Sequence, residues 1–252
     1  MIAVSSPYFS HFPFCDMLEK IAHEFNSWEI VAEGKHTLPD LESDFLKYAP
    51  SYDLSFSVHA PMSDINIGSL NANILEVSLK ELLSCMKSCY KLEIETITVH
   101  PGFMTPIGLA DPTKVIDTTK ASLFRLEAEA AELGLKIAFE NMPASPMCMG
   151  KTPEELLTLI EGTELGICFD IGHAHTTQMI DGFLKLKERF VNIHIHDNMG
   201  VSDEHLPIGN GTIDFEYLLQ ELGPRRYVIE SRGWEDALIS RNELQKLLDS
   251  NF

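Results

Sequence analysis

Residues 54–59, Leu-Ser-Phe-Ser-Val-His, alternate strictly: Leu54, Phe56 and Val58 on one face, Ser55, Ser57 and His59 on the other. A period of two is that of a β-strand with one apolar face. The pattern recurs along the chain. In 94–100, Ile97 and Val99 oppose Thr96, Thr98 and His100; in 135–140, Leu135, Ile137 and Phe139 oppose Ala138 and Glu140. In 165–170, Leu165, Ile167 and Phe169 oppose Gly166, Cys168 and Asp170. In 190–196, Val191, Ile193 and Ile195 oppose Asn192, His194 and His196; in 226–230, Tyr227 and Ile229 oppose Val228 and Glu230. Strands are also predicted at 2–6 and 28–33. Helices are predicted between them, at 13–25, 40–48, 71–90, 112–133, 153–161, 177–188, 214–222 and 237–249.

The helix ends are punctuated as this reading requires. Asp111-Pro112 supplies an N-cap followed by Pro at the first helical position, and Thr152-Pro153-Glu154-Glu155 adds a Glu at the third. Asp214 is placed to cap the next-to-last helix, and Gly134 follows the helix ending near Leu133. Eight strands alternating with eight helices predict a single-domain (β/α)8 TIM barrel over residues 1–252. A doubly wound open sheet is the rival, but it rarely uses eight regular units.

In such a barrel the large apolar face of each strand meets the helix ring, and the small or polar face lines the interior. Six strands then end on an inward His, Asp or Glu at the C-terminal mouth, where such barrels place their active sites. Glu33 holds the equivalent place on the second strand. One such residue alone would be an ordinary cap or ion pair; convergence on one parity points to a site. The densest stretch is Asn192 to Gly211, with His194, His196, His205, Asp197 and Asp203 close together. Imidazoles and carboxylates without cysteine suit a hard or borderline divalent metal. His11, His23, His36 and His175 fit no such pattern.

Composition narrows the function classes. The chain is 44% hydrophobic, and no apolar run approaches membrane-spanning length. Met1 leads straight into a strand, so no secretory signal is read. Five cysteines, an odd number, argue for a reducing, cytoplasmic setting, with Cys85 and Cys89 as buried thiols. The formal net charge of -19 is a poor footprint for a nucleic-acid binder. A membrane partner is not expected.

His59 lies in VHAP, His100 in VHPG and Glu140 in FENM. Asp170 and His173 form FDIGH, His194 opens HIHDN, Asp203 and His205 form DEHLPIGNG, and Glu230 lies in VIES. The order of these motifs resembles the xylose isomerase-like TIM barrel superfamily, which also contains endonuclease IV. The resemblance runs over nearly the whole chain and implies divalent metal, zinc or manganese, cobalt or iron, at one to three ions per chain. Endonuclease IV is a three-zinc phosphodiesterase that cuts DNA at abasic sites. Its nine ligand positions look matched by His59, His100, Glu140, Asp170, His173, His194, Asp203, His205 and Glu230. The sugar and sugar-phosphate isomerases and epimerases typically hold one metal, on residues matching Glu140, Asp170, His194 and Glu230.

Departures from the nuclease pattern favour the isomerase branch. The loops after the first two strands, SSPYFSHFPF and the acidic EIVAEGKHTLPDLE, are not the basic, Gln- and aromatic-bearing loops that penetrate DNA. The expected partner is a small sugar or sugar phosphate. Glu140 and Glu230 are then the expected acid/base pair as well as ligands. His173 and His196 are expected at substrate hydroxyls, and Arg232 or Lys151 at a phosphate or hydroxyl. Trp234 is expected to stack on a sugar or to pack the rim. The Met- and Pro-rich segment 141–150 reads either as a mobile lid or as a packed loop.

Overall fold

The structure, a computed structural model, describes residues 1–251. Eight parallel strands form a closed barrel in chain order: β1 (Ile2–Ser5), β2 (Ser27–Val31), β3 (Ser55–His59), β4 (Thr96–Val99), β5 (Lys136–Glu140), β6 (Gly166–Asp170), β7 (Phe190–Ile195) and β8 (Tyr227–Glu230). Closure comes from β8 pairing with β1, with Ser5 opposite Glu230. The helices are α1 (Phe14–Glu24), α2 (Leu38–Tyr48), α3 (Ala72–Lys91), α4 (Pro106–Ala110), α5 (Pro112–Leu133), α6 (Pro153–Leu159), α7 (Ile171–Thr176), α8 (Ile180–Leu184), α9 (Phe215–Leu222) and α10 (Trp234–Asn251). None of them is long and apolar enough to cross a membrane.

The alternation places side chains as the barrel requires. Val58, Ile97, Val99, Ile137, Phe139, Ile167, Phe169, Ile193, Ile195 and Ile229 are buried in the apolar core. Caps behave as their residue types dictate: Asp111, Thr152 and Asp214 accept from the backbone N–H of Lys114, Glu155 and Tyr217. Gly134 takes the left-handed conformation, at φ 70°, that ends α5. Cys85 and Cys89 are both buried free thiols on α3.

The helical stretch expected at 177–188 is broken into α8 and a 3-10 turn at Lys187–Arg189. The unexpected α7 starts directly at the end of β6, because the Asp170 carboxylate accepts from the His173 N–H at 2.6 Å and caps it. That one turn of helix swings His173 over the mouth. Segment 141–150 is tied down. Met104 N–H donates to the Met147 carbonyl, Met142 N–H to the Gly150 carbonyl and Ala144 N–H to Thr176 Oγ1, while Met142 and Met149 are buried. Packing, with Met as gap filler, accounts for this segment without a lid.

Inside the lower barrel a chain of polar contacts replaces the aliphatic layers usual for the fold. Arg226, just before β8, donates to Ser27 Oγ, Asn192 Oδ1 and Ser57 Oγ at 2.9, 3.1 and 2.8 Å. Ser57 Oγ and Asn192 Nδ2 each donate to Glu29 Oε2 at 2.7 Å. This network carries register information into the barrel centre and ends beneath the mouth.

Outside the barrel, Trp28 stacks on Phe14, and His36 meets both rings edge-on. Burial pushes the His36 imidazole down to about 4. The unfolded chain therefore binds more protons than the folded one between about pH 6.5 and 4, and stability falls as pH drops through that window. Denaturant melts at pH 7.5 and 5 should show a loss of about 2 kcal/mol from this group. A His36→Phe variant should lack that part of the slope; an unchanged slope would show that His36 does not titrate in this way.

Candidate metal centre

The site starts from strand ends. Glu140, Asp170 and His194 are the last or next-to-last inward residues of β5, β6 and β7, and all three are buried. His194 Nδ1 lies 3.4 Å from Glu140 Oε1, 3.1 Å from Glu230 Oε1 and 3.8 Å from Asp170 Oδ2. Together Glu140, Asp170, His194 and Glu230 form a cluster whose ligand atoms all lie within 4.8 Å of one another. A second cluster joins His59, His100 and Glu140. The two His Nε2 atoms are 3.1 Å apart, and Glu140 Oε2 is 3.3 and 3.1 Å from them. A third joins His173, His196, Asp203 and His205.

These spacings suit metal. Bonds of about 2.0–2.1 Å in a tetrahedron put ligand atoms about 3.3 Å apart. Among the described residues, Glu140 Oε2, Asp170 Oδ2, His194 Nδ1 and Asp203 Oδ1 are buried with no hydrogen-bond partner. A buried polar atom without a partner costs on the order of 1–3 kcal/mol, more if charged. Four of them aimed at common points is the arrangement a cation satisfies. The donor set, imidazole nitrogen and carboxylate oxygen, fits zinc, manganese, cobalt or iron.

Outer contacts fix the imidazoles. His59 Nδ1 is 2.9 Å from the Ala60 carbonyl, and His173 Nδ1 is 2.8 Å from the Asn141 carbonyl. In each the N–H donates outward and leaves Nε2 free for metal. His194 is turned the other way. Its Nε2 lies 2.7 Å from Glu29 Oε1, so Nδ1 faces the cluster. Burial alone would push the Glu29 carboxyl up, but His194, Arg226 and His59 outweigh it and hold the group at about 2. For His59, burial opposes protonation, yet the Glu140 carboxylate pushes it up to about 9. Burial opposes protonation of His173 and His194 as well, yet Asp170, Asp203 and Glu140 around the first, and Cys168, Glu230, Glu29 and Glu140 around the second, hold the imidazoles well above the usual range.

The loop after β7 is built to deliver Asp203 and His205. Asp197 is not a ligand but its organiser. Its carboxylate accepts from the N–H groups of Asn198, Gly209, Gly211 and Ile213. Gly209 sits at φ 88°, a conformation open to glycine. His205 itself holds φ 49°, which costs a non-glycine residue on the order of 1 kcal/mol and aims its ring at the cluster.

The nine positions taken from the family resemblance are therefore brought together. Other expectations change. Arg232 is spent on the ligand loop, donating to the carbonyls of Glu204 and Asp203 at 2.7 and 3.0 Å rather than facing a substrate phosphate. Trp234 packs against Phe9 and Phe25 with Lys20 over its ring, in the helix layer and not at the cluster. Lys151 gives its backbone N–H to Glu155, at the start of α6. Glu33 lies past the end of β2 and accepts from Met62 N–H, Ser63 N–H and Ser63 Oγ, holding the loop after β3. The carboxylate of β2 that reaches His194 is Glu29, which reading the strand by its last inward residue passes over. Its signal was an acid in the middle of a fully buried strand, SWEIV. Cys168 is a further inward neighbour of Glu140 and His194, and burial pushes its thiol up.

The family model described as xylose isomerase-like TIM barrel matches residues 20–246, and the chain belongs to that family. An uncharacterised protein of Methanocaldococcus jannaschii is 33% identical over 98% of this chain and 88% of its own length. A probable endonuclease 4 of Aquifex aeolicus is 27% identical over 68% of this chain and 67% of its own length. Among solved structures, a D-tagatose 3-epimerase-like protein superposes with TM-score 0.91 at 31% identity, covering 99% of this chain and 97% of that one.

Glu29→Gln keeps the size of the side chain but removes the charge that orients His194. Loss of such an outer contact should weaken metal binding by about 10–100-fold, read by chelator competition, while far-ultraviolet circular dichroism stays unchanged. Unaltered affinity would show that the Glu29 charge does not support the centre.

Proposed function

We propose that the protein is a divalent-metal-dependent isomerase or epimerase of a sugar or sugar phosphate. The observation that carries this is the pair Glu140 and Glu230. Their Oε1 atoms approach His194 Nδ1 from β5 and β8, at 3.4 and 3.1 Å, across the barrel mouth. A divalent ion in this cluster supplies Lewis acidity to adjacent carbonyl and hydroxyl oxygens of a substrate. Of the two carboxylates, one takes the proton from the carbon next to the carbonyl and the other returns it to the same or the neighbouring carbon. His59 and His100 share Glu140 Oε2 and so set its basicity.

Two further features support this reading. One is the 31% identical epimerase-like structure. The other is the surface charge: with a net charge of -19, even three bound dications leave the chain strongly acidic, and a polyanion is repelled.

A second reading rests on a different observation. The two oxygens of Glu140 are divided between clusters, Oε1 toward His194 and Oε2 toward His59 and His100. A carboxylate so placed can bridge two metals, as the phosphodiesterase reading requires, and a probable endonuclease 4 is among the relatives. The readings differ in what lies between His59, His100 and Glu140: a proton or a second cation.

Metal-loaded protein in heavy water, given a panel of sugars and sugar phosphates, should wash deuterium into the carbon beside the carbonyl. Glu230→Gln should lower that exchange by about 100- to 10,000-fold. Nicking of an abasic-site duplex that is lost in His59→Ala and His100→Ala, with no exchange on any sugar, would overturn the isomerase assignment in favour of the phosphodiesterase.

A further inference from the structure

The third cluster contains one residue more than the family resemblance supplies. His173, Asp203 and His205 are the three positions that it matches; the fourth, His196, is particular to what this structure brings together. It directly follows β7 and is fully buried, and neither ring nitrogen has a hydrogen-bond partner. A buried imidazole must donate or accept at both nitrogens, ligate a metal, or bear the cost of lost hydration. Its ring lies flat on that of His205, with centroids 3.9 Å apart and planes at 16°. Nε2 stands 3.5 Å from Asp203 Oδ1. His173 Nε2 and His205 Nε2 stand 3.4 and 3.1 Å from Asp203 Oδ2. These separations, with Oδ2 facing His173 and His205 and Oδ1 facing His196, are close to the ligand–ligand spacing of about 3.3 Å around zinc. Room for the ring is provided at Gly172, where a Cβ would collide with the His196 imidazole.

We propose that His196 is a fourth protein ligand, so that His173, His196, Asp203 and His205 enclose a structural zinc ion that is closed to substrate. Four protein ligands leave no coordination position for water or a sugar oxygen; catalytic zinc sites keep one open. Three nitrogens and one oxygen favour zinc over magnesium or calcium. The ion ties α7 and the end of β7 to the loop that carries Asp203 and His205. That loop is otherwise held by the Asp197 carboxylate and by Arg232, against the strain at His205. The metal thus fixes one wall of the mouth, while the cluster at Glu140, Asp170, His194 and Glu230, with three carboxylates to one imidazole, suits an ion that takes more than four ligands and so keeps positions for a substrate. This assignment is independent of whether the open cluster isomerises sugars or cleaves phosphodiesters.

The competing arrangement is a protonated His196 paired with Asp170, whose Oδ1 lies 3.3 Å from Nε2, and with Asp203. Zinc-loaded full-length protein, dialysed against a chelator and analysed for metal by mass spectrometry, separates the two. Wild type should retain a slowly exchanging zinc, and His196→Ala should lose about one ion per chain. Equal retention in both proteins, or none in wild type, would overturn the proposal. Should the variant fail to fold, X-ray absorption of chelator-washed wild type decides. Scattering from three imidazoles with no water marks the closed site; two imidazoles with an added oxygen rejects it. Cobalt replacement gives the same answer in the visible spectrum: intense four-coordinate bands in wild type, or weak bands that reject the closed site.

Discussion

The burial of negative charge at the top of the barrel is the constraint on which the rest of the structure depends. Glu29, Glu140 and Asp170 are almost fully inaccessible, and Glu230 and Asp203 are only partly exposed beside them. An isolated buried carboxylate is far too costly to keep ionised. The chain answers with histidines aimed between the carboxylates. Burial disfavours charge on both partners, yet mutual attraction wins: Asp170 is held at about 2 and the facing imidazoles are pushed up. Cations at the same points would satisfy the carboxylates more directly, and binding them would release the protons the imidazoles hold.

The lower barrel makes that concentration of charge possible. In most barrels of this type the interior is filled by aliphatic side chains. Here Arg226 begins a ladder through Ser27, Ser57, Asn192 and Glu29 that ends on His194 Nε2. The ladder sets which nitrogen of His194 faces the mouth. It also supplies a positive charge beneath the cluster, with Arg226 Nη1 3.9 Å from Glu29 Oε2. A fully satisfied buried network of this kind is rigid, and rigidity is what a metal centre needs from its supports.

The barrel was legible in the sequence because strand alternation is a purely local signal, and parity alone brought His59, His100, Glu140, Asp170, His194 and Glu230 to one end. That nine residues, Asp203 and His205 among them, would gather into three clusters was legible only through the resemblance of motifs. What stayed hidden depends on direction at a distance. Glu29 stands below the strand end, where an inward acid reads as a misfit until the His194 ring is seen above it. Arg232 and Trp234 lie two and four residues past Glu230, but the turn after β8 sends one to the carbonyls of the ligand loop and the other into the helix layer. His196 shares the parity of His194, so the sequence placed it inside. That it joins His173, Asp203 and His205 depends on the return of the loop through the bridge between Asp197 and Leu206.

The three clusters differ in how much of a metal's coordination the protein supplies, and that difference assigns them separate work. His59, His100 and Glu140 offer three side chains. Glu140, Asp170, His194 and Glu230 offer four, but Glu140 is shared with the first cluster. His173, His196, Asp203 and His205 offer four of their own, with Asp203 braced through its backbone by Arg232. A cation held as proposed in the last group would be saturated by protein and would serve geometry. On the proposed assignment reactivity belongs to the groups that meet at Glu140, where a carboxylate shared between two clusters leaves positions for a substrate. A small polyol can place neutral hydroxyls there without adding charge to an already anionic mouth. A nucleic-acid strand would bring its phosphates against a surface of the same sign.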